Sequence, residues 1–206
     1  MTKLRLRSDR GSTLPIYIWL TTILLFAAFA FFAFAQAASA RNGAQSAADA
    51  AALAAVQSAR DELMDGLGKA LVGEDEDWTD WLTRDDLGDA GPAAAAAADL
   101  AAQNDSTVVV GPSPAEVNGF PGYRVDIETQ YTVGDTVLPG TESMHATAHA
   151  TAVIQPRCDF DADADPEKPL ELTCDGDAGD ITIDPEDFDP LDLPDASDLF
   201  SVHLAD

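Results

Sequence analysis

Apolar and polar positions divide this chain into stretches with different periods. The first stretch has no period at all. From Gly11 to Ala40 there is no charged side chain over 30 residues, and the segment LPIYIWLTTILLFAAFAFFAFAQAA is apolar at nearly every position. A bilayer hydrocarbon core about 30 Å thick needs about 20 apolar helical residues to cross it, so a spanning helix is predicted over 14–38. Ala, Leu, Gln, Arg and Glu dominate onward to Val72 and keep helical propensity high, so the helix is predicted to continue over 39–72. Pro15 falls in its first turn, where a missing N–H costs nothing. Gly66, Gly68 and Gly73 are predicted to end it. The second half carries a stripe of small residues: Ala44, Ala47, Ala48, Ala51, Ala54 or Ala55, Ala59, then Leu63. Small residues at that spacing allow close helix approach, either to the chain's own domain or to copies and partners.

Beyond Gly73 the periods shorten. Trp78 and Trp81, in DWTDWL, stand at i, i+3 on one helical face, as a local core or as a partner-binding pair. Gly91-Pro92 opens an Ala-built helix that Asn104-Asp105 closes after Gln103. Then the period becomes two. In YRVDIETQYTV, Tyr123, Val125, Ile127, Thr129, Tyr131 and Val133 share one face, against Arg124, Asp126, Glu128, Gln130 and Thr132. That alternation predicts a half-buried antiparallel strand. Thr141–Ile154 alternates again, with Met144, Ala146, Ala148, Ala150, Ala152 and Ile154 opposite His145, Thr147, His149, Thr151 and Val153. The two runs read as a hairpin around Gly134-Asp135 and Pro139-Gly140, with Thr107–Val110 as a short third strand. The fold class expected is α+β: a long N-terminal helix, then a small domain of short helices and an antiparallel sheet over 73–155.

After Gln155 the pattern dissolves. Residues 155–206 hold 17 acids, two bases and prolines at 156, 166, 169, 185, 190 and 194. That composition predicts an acidic, largely extended tail over 156–206, apart from one closed loop. The loop is bounded by Cys158 and Cys174, with 15 residues between them. In an oxidising compartment the pair is most simply a disulfide, worth about 3 kcal/mol by loop closure.

Charge adds orientation. A basic leader over 1–13 carries Lys3, Arg5, Arg7 and Arg10, against a single Arg41 just past the apolar run. That asymmetry predicts a cytoplasmic N-terminus and an extracytoplasmic bulk. Of the formal net charge of −26, residues 42–206 contribute 36 acids against six bases. So acidic a surface repels phosphate backbones, which excludes nucleic-acid partners and favours basic ones for the tail. Ala38-Ser39-Ala40 also has the small-x-small form of a signal peptidase site. Cleavage there would release a secreted acidic binding protein. A signal's apolar core is typically about 7–15 residues, shorter than this run, which favours retention.

Candidate chemistry is sparse. His145 and His149 would share an ion on a helix, but on the predicted strand they stand about 13 Å apart. Asp159, Asp161, Asp163 and Asp165 alternate as in calcium loops, yet Ala164 and Leu170 replace the glycine and glutamate that an EF-hand needs. Weak calcium association or a solvated acidic surface are the two readings of that stretch. No nucleophile elbow, phosphate loop, HExxH or dinucleotide turn is present. The expectation is a non-enzymatic protein without cofactor or metal.

The flanks of the apolar run carry a resemblance. Asp9-Arg10-Gly11-Ser12 precedes it, and Arg41-Asn42-Gly43-Ala44-Gln45-Ser46-Ala47-Ala48-Asp49-Ala50-Ala51-Ala52-Leu53-Ala54 follows. Together they resemble the N-terminal module of TadE/TadG-like proteins, pseudopilin-like components of tight-adherence (Flp) pilus assembly systems. The resemblance implies an assembly motif of Arg10, Gly11, Asn42, Gln45, Ala47, Ala48, Asp49, Ala50, Ala51, Ala52 and Leu53. Its implied partners are the lipid bilayer and other pilus subunits, met through the small-residue helix. Pilin relatives are cut after a glycine and prefer Glu five residues on. After Gly11 that place holds Ile16. An uncleaved, TadG-like membrane component is therefore implied rather than a major pilin.

Overall fold

The computed structural model describes residues 13–73, 77–83, 87–132, 143–161, 163–176 and 178–205. The basic leader through Ser12, and the hairpin connection with Gly134-Asp135 and Pro139-Gly140, lie outside the described residues. Helix α1 (Thr13–Val72) is a single element of 60 residues, about 90 Å at 1.5 Å per residue. Gly66 and Gly68 were expected to help end it, but both lie inside it, and Gly73 closes it with its N–H on the Lys69 carbonyl. Gly66 serves close approach instead: a Cβ there would collide with the Trp81 ring. Helix α2 (Asp80–Thr83) is one turn, and α3 (Ala90–Gln103) is the expected alanine helix. Asp89 caps α3 by accepting from the Gly91 N–H at 3.0 Å, and the Asn104 N–H returns to the Ala101 carbonyl.

Strands β1 (Ser106–Val117), β2 (Phe120–Thr132), β3 (His145–Pro156) and β7 (Phe200–Ala205) form one antiparallel sheet in the order β1-β2-β3-β7. The expected hairpin is β2–β3, with Ile127 opposite Ala148 and Tyr123 opposite Ala152. The alternation holds along the middle of the pair, where Tyr123, Val125, Ile127 and Thr129 are buried, as are Ala150, Ala152 and Ile154; Tyr131 and Met144, expected on the same faces, are exposed, and Val133 lies outside the described residues. Val153, on the opposite face of β3, is buried as well. The third strand, expected over Thr107–Val110, runs the full twelve residues of β1 with two register shifts.

The segment expected as a largely extended tail is folded. β4 (Cys158–Asp159), β5 (Leu170–Cys174) and β6 (Asp180–Ile183) make a second antiparallel sheet, and a 3-10 turn (Pro190–Asp192) and α4 (Ala196–Leu199) lead into β7. The physical reason is local pattern beneath a polar average. Leu170, Leu172 and Cys174 alternate inward against Ile183, and Leu199 and Phe200 are buried at the end of β3. A few well-placed apolar side chains, together with the disulfide, order a stretch whose mean composition argues otherwise.

Candidate functional site

Of the residues that carried the resemblance, Arg41–Ala54 lie on α1, and the helix divides just before them. Its first half, up to Ser39, makes no tertiary burial: Ile16, Trp19, Phe26, Phe29, Phe31 and Phe34 are exposed around the whole circumference. This helix is long and apolar enough to cross a membrane by length and composition, and none of that apolar window is buried within the chain. The second half is enclosed. Ala40 is buried, and Ala44, Ala47, Ala48, Ala51, Ala52, Ala55, Val56 and Ala59 lie in the main core with α3 and the buried face of β2 and β3.

Between neighbouring copies and the chain's own domain, the structure decides for the domain. The small-residue stripe of the second half is buried within the chain's own domain. Alanine is what this position needs. A sheet and a helix both approach the same helix, and side chains larger than methyl would hold them off. Gly43 extends the same logic, since a Cβ there would collide with the Tyr131 hydroxyl.

Of the individual motif residues, Ala47, Ala48, Ala51 and Ala52 are therefore interior, and Asp49, Ala50 and Leu53 are half-buried. Asn42 and Gln45 are exposed. The Gln45 amide donates to the Asp49 carboxylate at 2.8 Å and to the His149 carbonyl of β3 at 3.3 Å, tying helix to sheet. Arg10 and Gly11 lie outside the described residues.

The other candidates separate. Cys158 and Cys174 form the expected disulfide and face each other across β4 and β5. His145 and His149 lie on β3 and point away from its buried face; the His145 ring Nδ1 is 2.7 Å from the Thr129 carbonyl oxygen, to which a protonated Nδ1 donates. Among the described residues no three His, Cys, Asp or Glu side chains converge as a metal site. Asp165 instead pairs with the Lys168 ammonium and accepts from the Glu167 N–H, and these bonds hold its carboxyl below the ordinary carboxylate value. Trp78 is core: it is 1% exposed, and its indole N–H donates to the Pro166 carbonyl at 2.9 Å. That partner, 88 residues away, was not legible in the sequence. Trp81 packs partly buried beside it, over Gly66.

A cleft of about 330 Å³ opens between the start of α3 and the β1–β2 hairpin, lined by Leu87, Ala90, Pro114, Glu116, Pro121 and Tyr123. Apart from Glu116, those side chains offer little that could recognise a polar ligand.

The chain thus joins one bare apolar helical half to an α+β domain through an alanine face. Residues 11–58 match the family model of TadE/G-like Flp pilus-assembly proteins, so the module read from the flanks of the apolar run is present. The match supports a component of pilus assembly. No curated protein and no solved structure matches the chain.

Proposed function

We propose that the protein is a non-enzymatic, membrane-anchored minor component of a Flp-type pilus assembly or secretion system. The first half of α1 crosses the bilayer with the N-terminus in the cytoplasm, and the folded domain stands outside as a pseudopilin-like head. The observation that carries this reading is the contrast along α1. Every large apolar side chain of residues 14–34 that is exposed would be covered by lipid or by a neighbouring span, and by nothing else in the chain. An unbroken helix through Ala38-Ser39-Ala40, with Ala40 already buried against the domain, supports retention over release. The disulfide on the domain fits an oxidising compartment.

Contacts with other pilus subunits would then use the span and the exposed acidic surface, since the stripe of the second half is occupied. A catalytic role is disfavoured by how the reactive groups are spent: both cysteines are oxidised and the His145 ring is tied to a backbone carbonyl. The test is fractionation of the full chain from cells that assemble the pilus. Retention after a carbonate wash, an N-terminus upstream of Arg41 and co-purification with pilus subunits are expected. A mature protein starting at Arg41 in the medium would replace this reading with the secreted acidic binding protein.

A further inference from the structure

Among the described residues the two sheets end in the strands β1, β7, β4 and β6, and all of these edges but one are blunted. β1 carries Pro112, Pro114 and Glu116 and two register shifts. β4 is two residues long and ends in Asp159; β6 begins with Asp180 and is followed by Asp184. Prolines, bulges, charges and shortness are what keep an edge from adding another strand. β7 has none of them. Its residues, FSVHLA, include no proline and no acid in a chain of net charge −26, and they pair with β3 without a register shift.

Register fixes which backbone groups of β7 are free. The Arg157 N–H donates to the Leu199 carbonyl at 2.9 Å, and bonded pairs recur at every second residue of an antiparallel ladder. Gln155–Ser201, Val153–His203 and Thr151–Ala205 are therefore the bonded pairs. Phe200, Val202 and Leu204 turn their backbone groups outward. The Phe200 N–H is taken by the Ala196 carbonyl, which leaves Val202 and Leu204 with open donors and acceptors among the described residues. Their side chains lie opposite the buried Ile154 and Ala152, yet Leu204 is 42% exposed. On α1, Gln45 reaches the His149 carbonyl of β3, and the half-buried Leu53 stands about two turns further along the same side.

The anchor restricts what can pair there. β2 runs against α1: Phe120 and Pro121 line a cleft with Leu63, and the Tyr131 hydroxyl lies against Gly43. Helix and strand cover about 30 Å and roughly 36 Å between those levels, so they lie nearly alongside. β3 therefore rises with α1, and β7 descends toward its apolar half. Antiparallel pairing of β7 with its counterpart in a second copy would invert that copy's α1 in the bilayer. The rising edge of a second copy is β1, which at the height of β7 presents Ser113–Val117, with Pro114 and Glu116. Neither edge of a copy in the same membrane fits. Asp195 and Asp198, at the head of β7, place acid where a rising segment would finish.

We propose that the open edge of β7 takes a rising, acid-free segment of another pilus subunit as a fifth strand, with a basic residue at its upper end facing Asp195 and Asp198. This rests on the reading of the chain as an anchored pilus component, and adds an uncharged contact to the span and the acidic surface. Backbone bonds to Val202 and Leu204 give the contact its strength, and side chains laid over Leu204 and Leu53 give it selectivity.

The experiment uses the isotope-labelled full chain in detergent micelles, with overlapping synthetic peptides covering the extracytoplasmic parts of the subunits that co-purify with it. The expected result is an acid-free peptide that slows amide hydrogen exchange at Val202 and Leu204 several-fold. Ser201 and His203, already bonded to β3, should not change. Leu204→Pro removes an outward N–H and no bond to β3, so it should keep the urea midpoint and weaken that peptide about tenfold. Peptides that bind without protecting the two amides, or no bound peptide at all, would overturn the strand addition. Protection that grows with protein concentration in the absence of peptide would also overturn it, in favour of a second copy. If Leu204→Pro co-purifies with the subunits in unchanged yield, the edge is overturned and the pilus reading stands. If the original chain co-purifies with none of them, both fall.

Discussion

The two halves of α1 are both alanine-rich, both helical and joined without a break, yet their surroundings differ completely. Residues 13–39 expose Phe, Leu, Ile and Trp on every face, and none of the apolar window is buried within the chain. Residues 40–72 bury alanines between a helix and a sheet, and expose Gln57, Asp61, Asp65 and Lys69. The difference lies in side-chain size and its distribution around the axis. Large apolar groups on all sides leave no polar face for water, so the favourable solvent is hydrocarbon. Methyl-sized groups on a broad face, with polar groups opposite, let two layers of the same chain close in. One helix is thus bare and apolar in its first half and the structural spine of the domain in its second.

That contrast is breakable at either half. The largest effect is expected from Leu24→Arg together with Phe26→Arg, at the middle of the apolar run. Each arginine at a span centre costs about 3 kcal/mol of insertion. The double variant should leave the carbonate-resistant membrane fraction, while urea unfolding of its domain stays at the midpoint of the original chain. A loss of domain stability instead would mean that the first half supports the fold.

Next comes Ala51→Leu, in the fully buried stripe. Overpacking a closed site typically costs about 1–3 kcal/mol, so the urea midpoint should fall clearly with membrane retention unchanged. Ala33→Leu, on the bare half, should shift that midpoint by less than about 0.5 kcal/mol. If Ala51→Leu were equally silent, the stripe would not be the closed interface described here.

The smallest effect concerns acid. Bonds from Lys168 and the Glu167 N–H hold the Asp165 carboxyl below the ordinary aspartate value of 3.8, and the same pairing raises Lys168. A depressed carboxyl stabilises the folded state above its unfolded value, and that contribution disappears as pH falls through the lower folded value. The turn carrying the Pro166 carbonyl should therefore loosen only below pH 3.8, seen as movement of the Trp78 indole N–H resonance in NMR. Lys168→Met should bring the transition closer to 3.8. A transition at unchanged pH in that variant would remove Lys168 as the cause.

Much of the architecture was legible before any coordinates. The bounds of α3 follow closely from Gly91-Pro92 and Asn104-Asp105, which act through local backbone geometry, while the Asp89 cap became visible only in the structure. The inward face of β2 follows from strict alternation, because a strand half-buried on one side leaves that trace. The segment after Gln155 was misjudged because its apolar residues are few. Leu170, Leu172, Ile183, Leu199 and Phe200 gain their partners only through strand pairing, and an average over the segment dilutes them. Of the assembly motif, the sequence could locate the residues but could not separate interior alanines from exposed Asn42 and Gln45.

The amino-acid order alone determined a long apolar helix, its alanine stripe, the hairpin and the cysteine pair, because each depends on neighbours close in the chain or on a repeated period. Only the tertiary structure decided what covers the stripe, what bonds Trp78 and which end of the sheet lies nearest the apolar run. Those outcomes depend on contacts between residues far apart in sequence, and a surface of methyl groups fits its own domain as well as a stranger's until the rest of the chain has folded against it.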